Sequence, residues 1–468
     1  MNEVSTATSV EAVVALIVSG AAFNEETTRK RKITYTFFYV SSATERLLLS
    51  KCSRLSISYF TSESLRLVER LCVPRPHTMR SAARTLAAAL PLASLSLCFA
   101  SPPPPPPPQP PSAAQTPTPL SPPRGAFPTI LDAVGNTPLL ELPTLSRATG
   151  CTILAKAEHL NPGLSVKDRA ALNIVRGALA NGTAPPGTRV VEATGGNTGV
   201  ALAFICAAHG LPLTLTMPDY VAKEKVLACE AMGATVLLCP SAGVAFADPR
   251  HFYQAAKRLG AEPGHVWGNQ FEGLLNRQAH VAGTGAELAR AVAGAGLALD
   301  AFCVSAGTGG TLAGAGEALR AAFPAVALYL IDPPGSSLAA YVRTGQLRAS
   351  EGRGTSLEGI GIGRLTANFA SCPPLTGVFD GTDEEAVAMM LYLAQREGVF
   401  VGPSAALNVV GAVKAARALG PGKVVATVLC DSGARYLSKH FNPQWRAENG
   451  LGSVPQAAPP AGQLDFVK

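Results

Sequence analysis

The sequence is poor in charged residues, and it lacks the spacings that mark metal and nucleotide sites. Charged residues make up 15% of the 468 positions and hydrophobic residues 47%, so the chain can bury a large core. The ten cysteines and seven histidines form no C-x-x-C or H-x-x-H pair, so we expect no metal centre and mostly buried, reduced cysteines. G-x-G-x-x-G with a following acidic residue and G-x-x-x-x-G-K-[ST] are also missing, which argues against dinucleotide and nucleoside triphosphate sites.

The net charge of +7 is concentrated at one end of the chain. Residues 1–124 hold 13 Lys/Arg and 7 Asp/Glu, whereas the remainder holds 26 and 25. The remainder is therefore nearly neutral, and we expect no nucleic-acid-binding surface on it.

Residues 1–124 are predicted to be an extension that is disordered or removed. From Met79 to Arg124 there are three arginines, many serines and alanines, and no acidic residue, as in organelle transit peptides. The second half of this span is a proline run from Pro102 and a Ser/Pro/Thr tract to Pro123, which together form a stiff linker that cannot build a core. We therefore expect import into a mitochondrion or plastid; secretion or membrane association through this segment is the alternative.

From about Ala126 the chain alternates between apolar runs and helical segments, which predicts an α/β fold with parallel sheets. Ser165 is predicted to cap a helix, and Thr382 with Glu385 forms a capping box. The expected strands are 152–155, 189–192, 211–217, 235–239, 302–305, 327–331 and 424–429.

Three glycine-rich turns are predicted where a strand hands over to a helix: 194–199, 307–311 and 359–363. In parallel α/β proteins that position is the ligand crevice, where backbone N–H groups and the helix N-terminus attract an anion. Lys167 follows a strand and a Pro-Gly turn, so it also stands at this crevice. The alternative is an ordinary solvated lysine, but an amine beside an anion-binding turn is what a cofactor held as a Schiff base requires.

These motifs together resemble the cysteine synthase/cystathionine β-synthase family of pyridoxal-phosphate enzymes, and most closely its cysteine synthase 2 subgroup. The resemblance spans about residues 135–438 and rests on motifs in family order: Gly135-Asn-Thr-Pro-Leu, Ser165-Val-Lys-Asp-Arg, Thr194-x-Gly-Asn-Thr-Gly, Gln270-Phe-Glu, Gly307-Thr-Gly-Gly-Thr, Glu358-Gly-Ile-Gly-Ile-Gly and Asp431-Ser-Gly-Ala-Arg. It implies a two-lobed, tryptophan-synthase-β-like body (fold type II) with the cofactor in the cleft. The body would span 125–445, with a smaller mobile lobe at about 160–272, and 446–468 would be a tail.

The resemblance also implies roles for individual residues. Lys167 would hold pyridoxal 5′-phosphate covalently and take the α-proton of the substrate, while Ser404 would face the pyridine nitrogen. Asn197 would bond the cofactor's 3′-oxygen. The cofactor phosphate would bind Gly307, Thr308, Gly309, Gly310 and Thr311. The substrate would bind Thr194, Gly195, Gly196, Asn197, Thr198, Gln270 and Gly359.

The implied reaction is a β-replacement that makes L-cysteine from an activated serine, such as O-acetylserine, and sulfide, in a homodimer. Gly195 and Ala406 depart from the family's usual serine and glycine, which opens the question of the donor. The basic stretch that usually precedes the Gly359 turn is missing, so we expect no stable complex with serine acetyltransferase. The alternatives are a β-eliminating serine/threonine dehydratase, a cysteine desulfhydrase, a cystathionine β-synthase-like enzyme, and an inactive organelle-associated binding protein.

Overall fold

The computed structural model describes residues 127–348 and 354–468, together with the backbone of two short N-terminal strands. These strands, β1 (Ala12–Leu16) and β2 (Phe37–Ser41), pair antiparallel with Ala12 opposite Ser41. The transit-like stretch from Met79 and the proline-rich linker lie outside the described residues. The targeting role of residues 1–124 therefore stays a prediction.

The larger lobe is organised around a six-stranded sheet in the order β11-β10-β9-β12-β4-β3. All neighbours pair parallel except β3 with β4. Successive residues of the central β9 point to opposite faces, so Ala301 and Cys303 pack into one apolar core and Phe302 and Val304 into another. The strands are β3 (Leu139–Glu141), β4 (Thr152–Lys156), β9 (Ala301–Val304), β10 (Ala327–Asp332), β11 (Gly377–Asp380) and β12 (Val424–Val428).

The smaller lobe contains a parallel four-stranded sheet in the order β7-β6-β5-β8. On β5, Val190 faces a core shared with the helices on one side, whereas Val191 and Ala193 face a second core that contains Tyr253. The inner strands β5 and β6 are thus buried on both faces, whereas Leu237 and Leu238 of the edge strand β7 are exposed. The strands of this sheet are β5 (Arg189–Ala193), β6 (Leu213–Pro218), β7 (Thr235–Cys239) and β8 (His265–Trp267).

Helices cover both sheets, and none in the described part of the chain is long and apolar enough to cross a membrane. They are α1 (Pro143–Thr149), α2 (Lys167–Ala180), α3 (Asn197–His209), α4 (Lys223–Ala231), α5 (Phe252–Leu259), α6 (Leu275–Ala279), α7 (Ala286–Gly294), α8 (Gly310–Ala322), α9 (Leu338–Thr344), α10 (Ala367–Ala370), α11 (Asp383–Tyr392), α12 (Pro403–Leu419) and α13 (Pro443–Glu448). A π-helical segment, His280–Gly285, joins α6 to α7.

Local predictions at helix starts had different outcomes. The capping box of α11 is confirmed: Thr382 Oγ1 accepts from the Glu385 N–H at 3.1 Å, and Glu385 Oε2 accepts from the Thr382 N–H at 2.9 Å. The prediction of Ser165 as the cap of α2 is wrong. The capping position is Val166, one residue later; Ser165 forms a β-bridge with Asp431 after β12, while its Oγ still accepts from the Lys167 N–H at 3.3 Å.

The C-terminal residues pack onto the larger lobe. Helix α13 crosses the predicted boundary at residue 445, and the segment after it inserts apolar side chains into the core beside α11 and α12. These side chains are Leu451, Val454, Ala458, Leu464 and Val467, each at most 7% exposed. The segment that the sequence marks as a tail thus contributes to the core of the lobe.

Most of the described cysteines lie in buried, apolar surroundings. All seven in the described part of the chain are free thiols, and five of them are buried. Burial raises the pKa of Cys303 and of the partly buried Cys430 above the ordinary value for a thiol. The prediction that most cysteines are buried and reduced is confirmed for these residues.

Candidate active site

The carboxyl ends of the parallel strands open onto a cleft of about 650 Å³ between the two sheets. Its lining combines the turn after β5, the turn after β9, the start of α2 and the start of α12. Every site residue predicted from the sequence lines this cleft, with the single exception of Gly310, which begins helix α8 immediately behind it.

Lys167 is the first residue of α2 and is half-buried at the cleft wall. Burial lowers the pKa of its amine, although the nearby carboxylate of Asp431 opposes the shift. Among residues 127–348 and 354–468 its Nζ has no hydrogen-bond partner. Lys167 therefore presents an unpaired amine with a lowered pKa to the cleft.

The turn 307–311 leads from β9 into α8 and leaves no room for larger residues. Gly309 adopts a φ of +85°, and a Cβ there would lie 2.6 Å from Phe369 Cα; a Cβ on Gly307 would collide with the carbonyl oxygen of Gly359. Asn276 Nδ2 supports the turn by donating to Thr308 Oγ1 at 2.9 Å. The first-turn N–H groups of α8 have no intrahelical acceptors, so the turn and the helix N-terminus suit a phosphate group.

Ser404 is buried in the first turn of α12, one residue after Pro403. Its hydroxyl is hydrogen-bonded to the Cys430 thiol, to which Asn408 Nδ2 also donates at 3.1 Å. Burial raises the pKa of that thiol to about 12, so it is neutral at physiological pH. The group facing the cleft here is thus a hydroxyl beside a neutral thiol.

The turn 194–198 leads from β5 into α3. Thr194 Oγ1 accepts from the N–H groups of Gly196 at 3.0 Å and Gly199 at 3.3 Å, which fixes the turn. Gln270 supports it from below: its Nε2 donates to the Ala193 carbonyl at 2.7 Å, and its Oε1 accepts from Thr198 Oγ1 at 2.7 Å. Gln270 lines the cleft as predicted, but its amide is largely occupied in holding the turn.

Asn197, the first residue of α3, is hydrogen-bonded to two residues of the larger lobe, Asp431 and Arg435. Neither was among the predicted site residues. Asn197 Nδ2 donates to Asp431 Oδ2 at 2.6 Å, and its Oδ1 accepts from an Arg435 N–H at 2.5 Å. Tyr436 Oη also donates to Asp431 Oδ2, at 2.5 Å. The Asp431-Ser-Gly-Ala-Arg motif is the sequence signal that points to Asp431 and Arg435.

The third glycine-rich turn occupies a different place from the one predicted. Residues 359–363 lie in a coil between α9 and α10, and no strand precedes them in the described part of that segment. The turn still reaches the cleft, because the Gly361 N–H donates to the Ala306 carbonyl at 2.9 Å beside the turn after β9. The prediction of a strand-to-helix turn is wrong here, but the predicted residue Gly359 lines the cleft.

Glu358, which precedes this turn, binds two lysines inside the cleft. One carboxylate oxygen pairs with Lys225 of α4 and the other with Lys439, which follows β12. Burial raises the pKa of Glu358, but the two ammonium groups outweigh this effect and the net shift is downward. Sequence reasoning missed this trio, because its members are far apart in the chain and none stands in a recognisable ligand motif.

Comparison with known proteins supports the fold and the cofactor. Residues 130–431 match the family model of pyridoxal-phosphate dependent enzymes. The chain is 42% identical over 325 residues to a cysteine synthase of Dictyostelium discoideum, covering 68% of this chain and 84% of that one. It is 42% identical over 356 residues to cysteine synthase 2 of Schizosaccharomyces pombe, covering 72% and 87%. Among solved structures, the O-acetylserine dependent cystathionine beta-synthase from Helicobacter pylori aligns with a TM-score of 0.60 at 30% identity, over 67% of this chain and 98% of that chain.

Proposed function

The chain belongs to the cysteine synthase/cystathionine β-synthase family of pyridoxal-phosphate-dependent enzymes, and we propose that it makes L-cysteine from an activated serine and sulfide. O-Acetylserine is the proposed donor. In this reaction the Cβ–O bond of the donor breaks, acetate leaves with the electron pair, and hydrosulfide forms the new Cβ–S bond. The α-proton is removed and later returned, so the overall reaction is a substitution.

One observation carries the proposal: an unpaired amine, a phosphate cradle and a buried hydroxyl line the same cleft. The amine is that of Lys167, the cradle is the turn 307–311, and the hydroxyl is that of Ser404. Lysine and a phosphate-binding turn are what pyridoxal phosphate needs for covalent attachment and anchoring. The residues present therefore fit the cofactor that the family uses.

When bound, pyridoxal phosphate supplies the electron sink that makes the α-proton acidic and lets the β-substituent depart. Lys167 can accept and return that proton, because burial lowers the pKa of its amine and favours the neutral form. Ser404 would face the ring nitrogen of the cofactor with a neutral hydroxyl. A carboxylate at that position would enforce protonation of the nitrogen, and a hydroxyl does not. This environment favours elimination and addition at the β-carbon over transamination.

The turn 194–198 is proposed to hold the carboxylate of the amino acid. The N–H groups of Gly196 and Gly199 are taken up by Thr194 Oγ1, whereas those of Gly195, Asn197 and Thr198 stand at the N-terminal end of α3. The partial positive charge of that helix end favours an anion. The Gln270 amide keeps the turn in place from the side of β5.

The test is a spectroscopic and kinetic comparison of the wild type with Lys167→Ala. The wild type should be yellow, and borohydride reduction followed by peptide mass spectrometry should place the cofactor on Lys167. The variant should lose turnover of O-acetylserine and sulfide by about 10²–10⁴-fold, as expected for a missing acid–base group. Lys257→Ala, on the exposed face of α5, is the matched control and should behave as the wild type. Full turnover by Lys167→Ala would refute the assignment.

The proposal extends to the assembly and the cellular location of the protein. We propose a homodimer, following the family, without a stable serine acetyltransferase complex, because the basic stretch before Glu358 is missing. Sedimentation of the purified protein should give the mass of two chains. Co-purification of serine acetyltransferase in a stoichiometric amount would contradict the proposal that no stable complex forms. We also propose that residues 1–124 direct the chain to a mitochondrion or plastid.

A further inference from the structure

The proposed chemistry makes no use of the charged trio Lys225, Glu358 and Lys439. All three line the same cleft as Lys167, and their side chains are 2%, 9% and 20% exposed. Lys225 comes from the smaller lobe, whereas Glu358 and Lys439 come from the larger one. Trp445 and Asn449, from α13 and its end, line the cleft as well.

The trio has more hydrogen-bond donors than acceptors. Two ammonium groups carry three N–H donors each. Within the described residues, their acceptors are one Glu358 oxygen each and the Tyr436 hydroxyl, which lies 3.5 Å from Lys225 Nζ. Three donors therefore remain, both Glu358 oxygens are engaged, and the trio carries a net charge of +1. An anion that enters from the cleft would satisfy these donors and neutralise that charge.

The trio also stands close to the proposed carboxylate-binding turn. Lys225 Cδ and Nζ lie 2.7 Å and 3.2 Å from the position that a Cβ on Gly196 would take. A substrate whose α-carboxylate rests on the turn 194–198 would thus lie beside Lys225, which Glu358 joins to Lys439 in the same cleft. The ion pairs to Glu358 hold both ammonium groups in the cleft.

We propose that Lys225 and Lys439, bridged by Glu358, form a subsite for an anionic group carried by one of the two substrates. The group is either a phosphate on the donor, as in O-phosphoserine, or a carboxylate on the incoming thiol. The proposal rests on the β-replacement proposed above and specifies the substrate class that this cleft accepts.

The experiment compares substrate pairs that differ in charge, using the cofactor-loaded enzyme. The donor pair is O-phosphoserine and O-acetylserine with sulfide. The thiol pair is 3-mercaptopropionate and 2-mercaptoethanol with O-acetylserine. In Lys439→Gln, the ratio of kcat/KM for the charged over the uncharged member should fall about ten- to hundred-fold in one of the two pairs, as expected for a lost charged hydrogen bond. The pair that responds identifies which substrate carries the anion.

Lys439→Arg should restore most of the lost ratio, and Lys257→Gln should leave both ratios at the wild-type values. Binding is measured separately by calorimetry with two probes, inorganic phosphate and S-(2-carboxyethyl)cysteine, neither of which needs turnover. Unchanged ratios in both pairs, or unchanged affinity for both probes in Lys439→Gln, would overturn the subsite. If a probe's affinity depends on Lys439 while no donor yields cysteine, the subsite stands and the proposed cysteine synthesis fails.

Discussion

The side-chain amide of Asn197 donates to Asp431 Oδ2 at 2.6 Å and joins the start of α3 in the smaller lobe to the end of β12 in the larger lobe. Arg435 completes the link by donating to Asn197 Oδ1 at 2.5 Å and to the Gly163 carbonyl beside α2. The residue predicted to bond the cofactor is therefore oriented by two others, and its orientation depends on how the lobes meet.

Arg435→Gln should disturb the site through Asn197 without removing a group that binds the cofactor phosphate. A lost charged hydrogen bond costs about 1.5–3 kcal/mol, so kcat/KM should fall about tenfold or more, with a shift of the visible absorption band. Arg343→Gln, which breaks an exposed pair with Asp380, is the control and should change little. A wild-type spectrum and wild-type kinetics for Arg435→Gln would show that Asn197 is held by Asp431 alone.

Gly195→Ser should improve the binding of O-acetylserine. No atom lies within 4 Å of the position that a Cβ would take at Gly195, and its φ is not positive, so the serine hydroxyl fits beside the substrate. One added hydrogen bond to the charged carboxylate should tighten binding about ten- to hundred-fold with the absorption spectrum unchanged. Gly196→Ser is the contrast: at φ +144°, with Lys225 in the way, it should impair binding. If the wild type already uses O-acetylserine efficiently, and Gly195→Ser leaves its binding unchanged or weakens it, then Gly195 carries no information about the donor.

Glu192 should make the folded state less stable as the pH rises. It is fully buried beneath the turn 194–198, and burial raises its pKa to about 8, although the N–H groups of Ala193 and Gln270 oppose the shift. Between its ordinary value of about 4.5 and pH 8, the unfolded chain loses the proton while the folded chain keeps it. The stabilising effect of the neutral carboxyl is therefore complete below pH 4.5 and lost as the pH passes 8.

Glu192→Gln should flatten this dependence, because an amide cannot ionise. The free energy of unfolding is measured by denaturant titration from pH 5 to 9. Over this range the wild type should lose a few kcal/mol of stability relative to Glu192→Gln. Glu141→Gln, exposed on β3, should run parallel to the wild type. Parallel curves for Glu192→Gln would mean that the carboxyl is ionised in the folded protein.

A chain that starts at Gly125 should keep the catalytic properties of the full sequence. Every cleft residue lies after this point, and Leu131, in the turn 130–133, already belongs to the core of the smaller lobe. We expect equal kcat/KM and equal thermal midpoints for the two proteins. In cells, the full-length protein should reach an organelle and the shorter one should not; a large loss of activity on truncation would assign residues 1–124 a catalytic role.

The sequence was most informative where local chemistry decides the structure. β7 was predicted with its observed bounds, because an apolar run after a glycine leaves few alternatives, and the capping box of α11 depends only on two side chains three residues apart. The prediction for Ser165 missed the helix start by one residue, and nothing in the sequence indicates that its backbone pairs with Asp431, 266 positions away in the chain. Such a pairing depends on how the folded chain brings distant segments together, so neighbouring residues in the sequence do not reveal it.

The same distinction applies to the site. The cleft residues at the turns 194–198 and 307–311 could be predicted because parallel strands bring their carboxyl ends together. The trio of Lys225, Glu358 and Lys439 could not, because Glu358 lies 133 and 81 positions from its two partners. Buried ion pairs of this kind follow from tertiary packing and leave no periodic signal in the sequence.

The pairing of β4 with both β3 and β12 has a consequence for the order of events during synthesis. β4 ends at Lys156, yet its parallel partner β12 begins only at Val424, so the central sheet cannot close until nearly the whole chain has left the ribosome. The four-stranded sheet needs only residues 189–267 and can form much earlier. The nascent chain can therefore carry a folded smaller lobe beside exposed apolar strands, and we expect chaperones to be most needed during this interval.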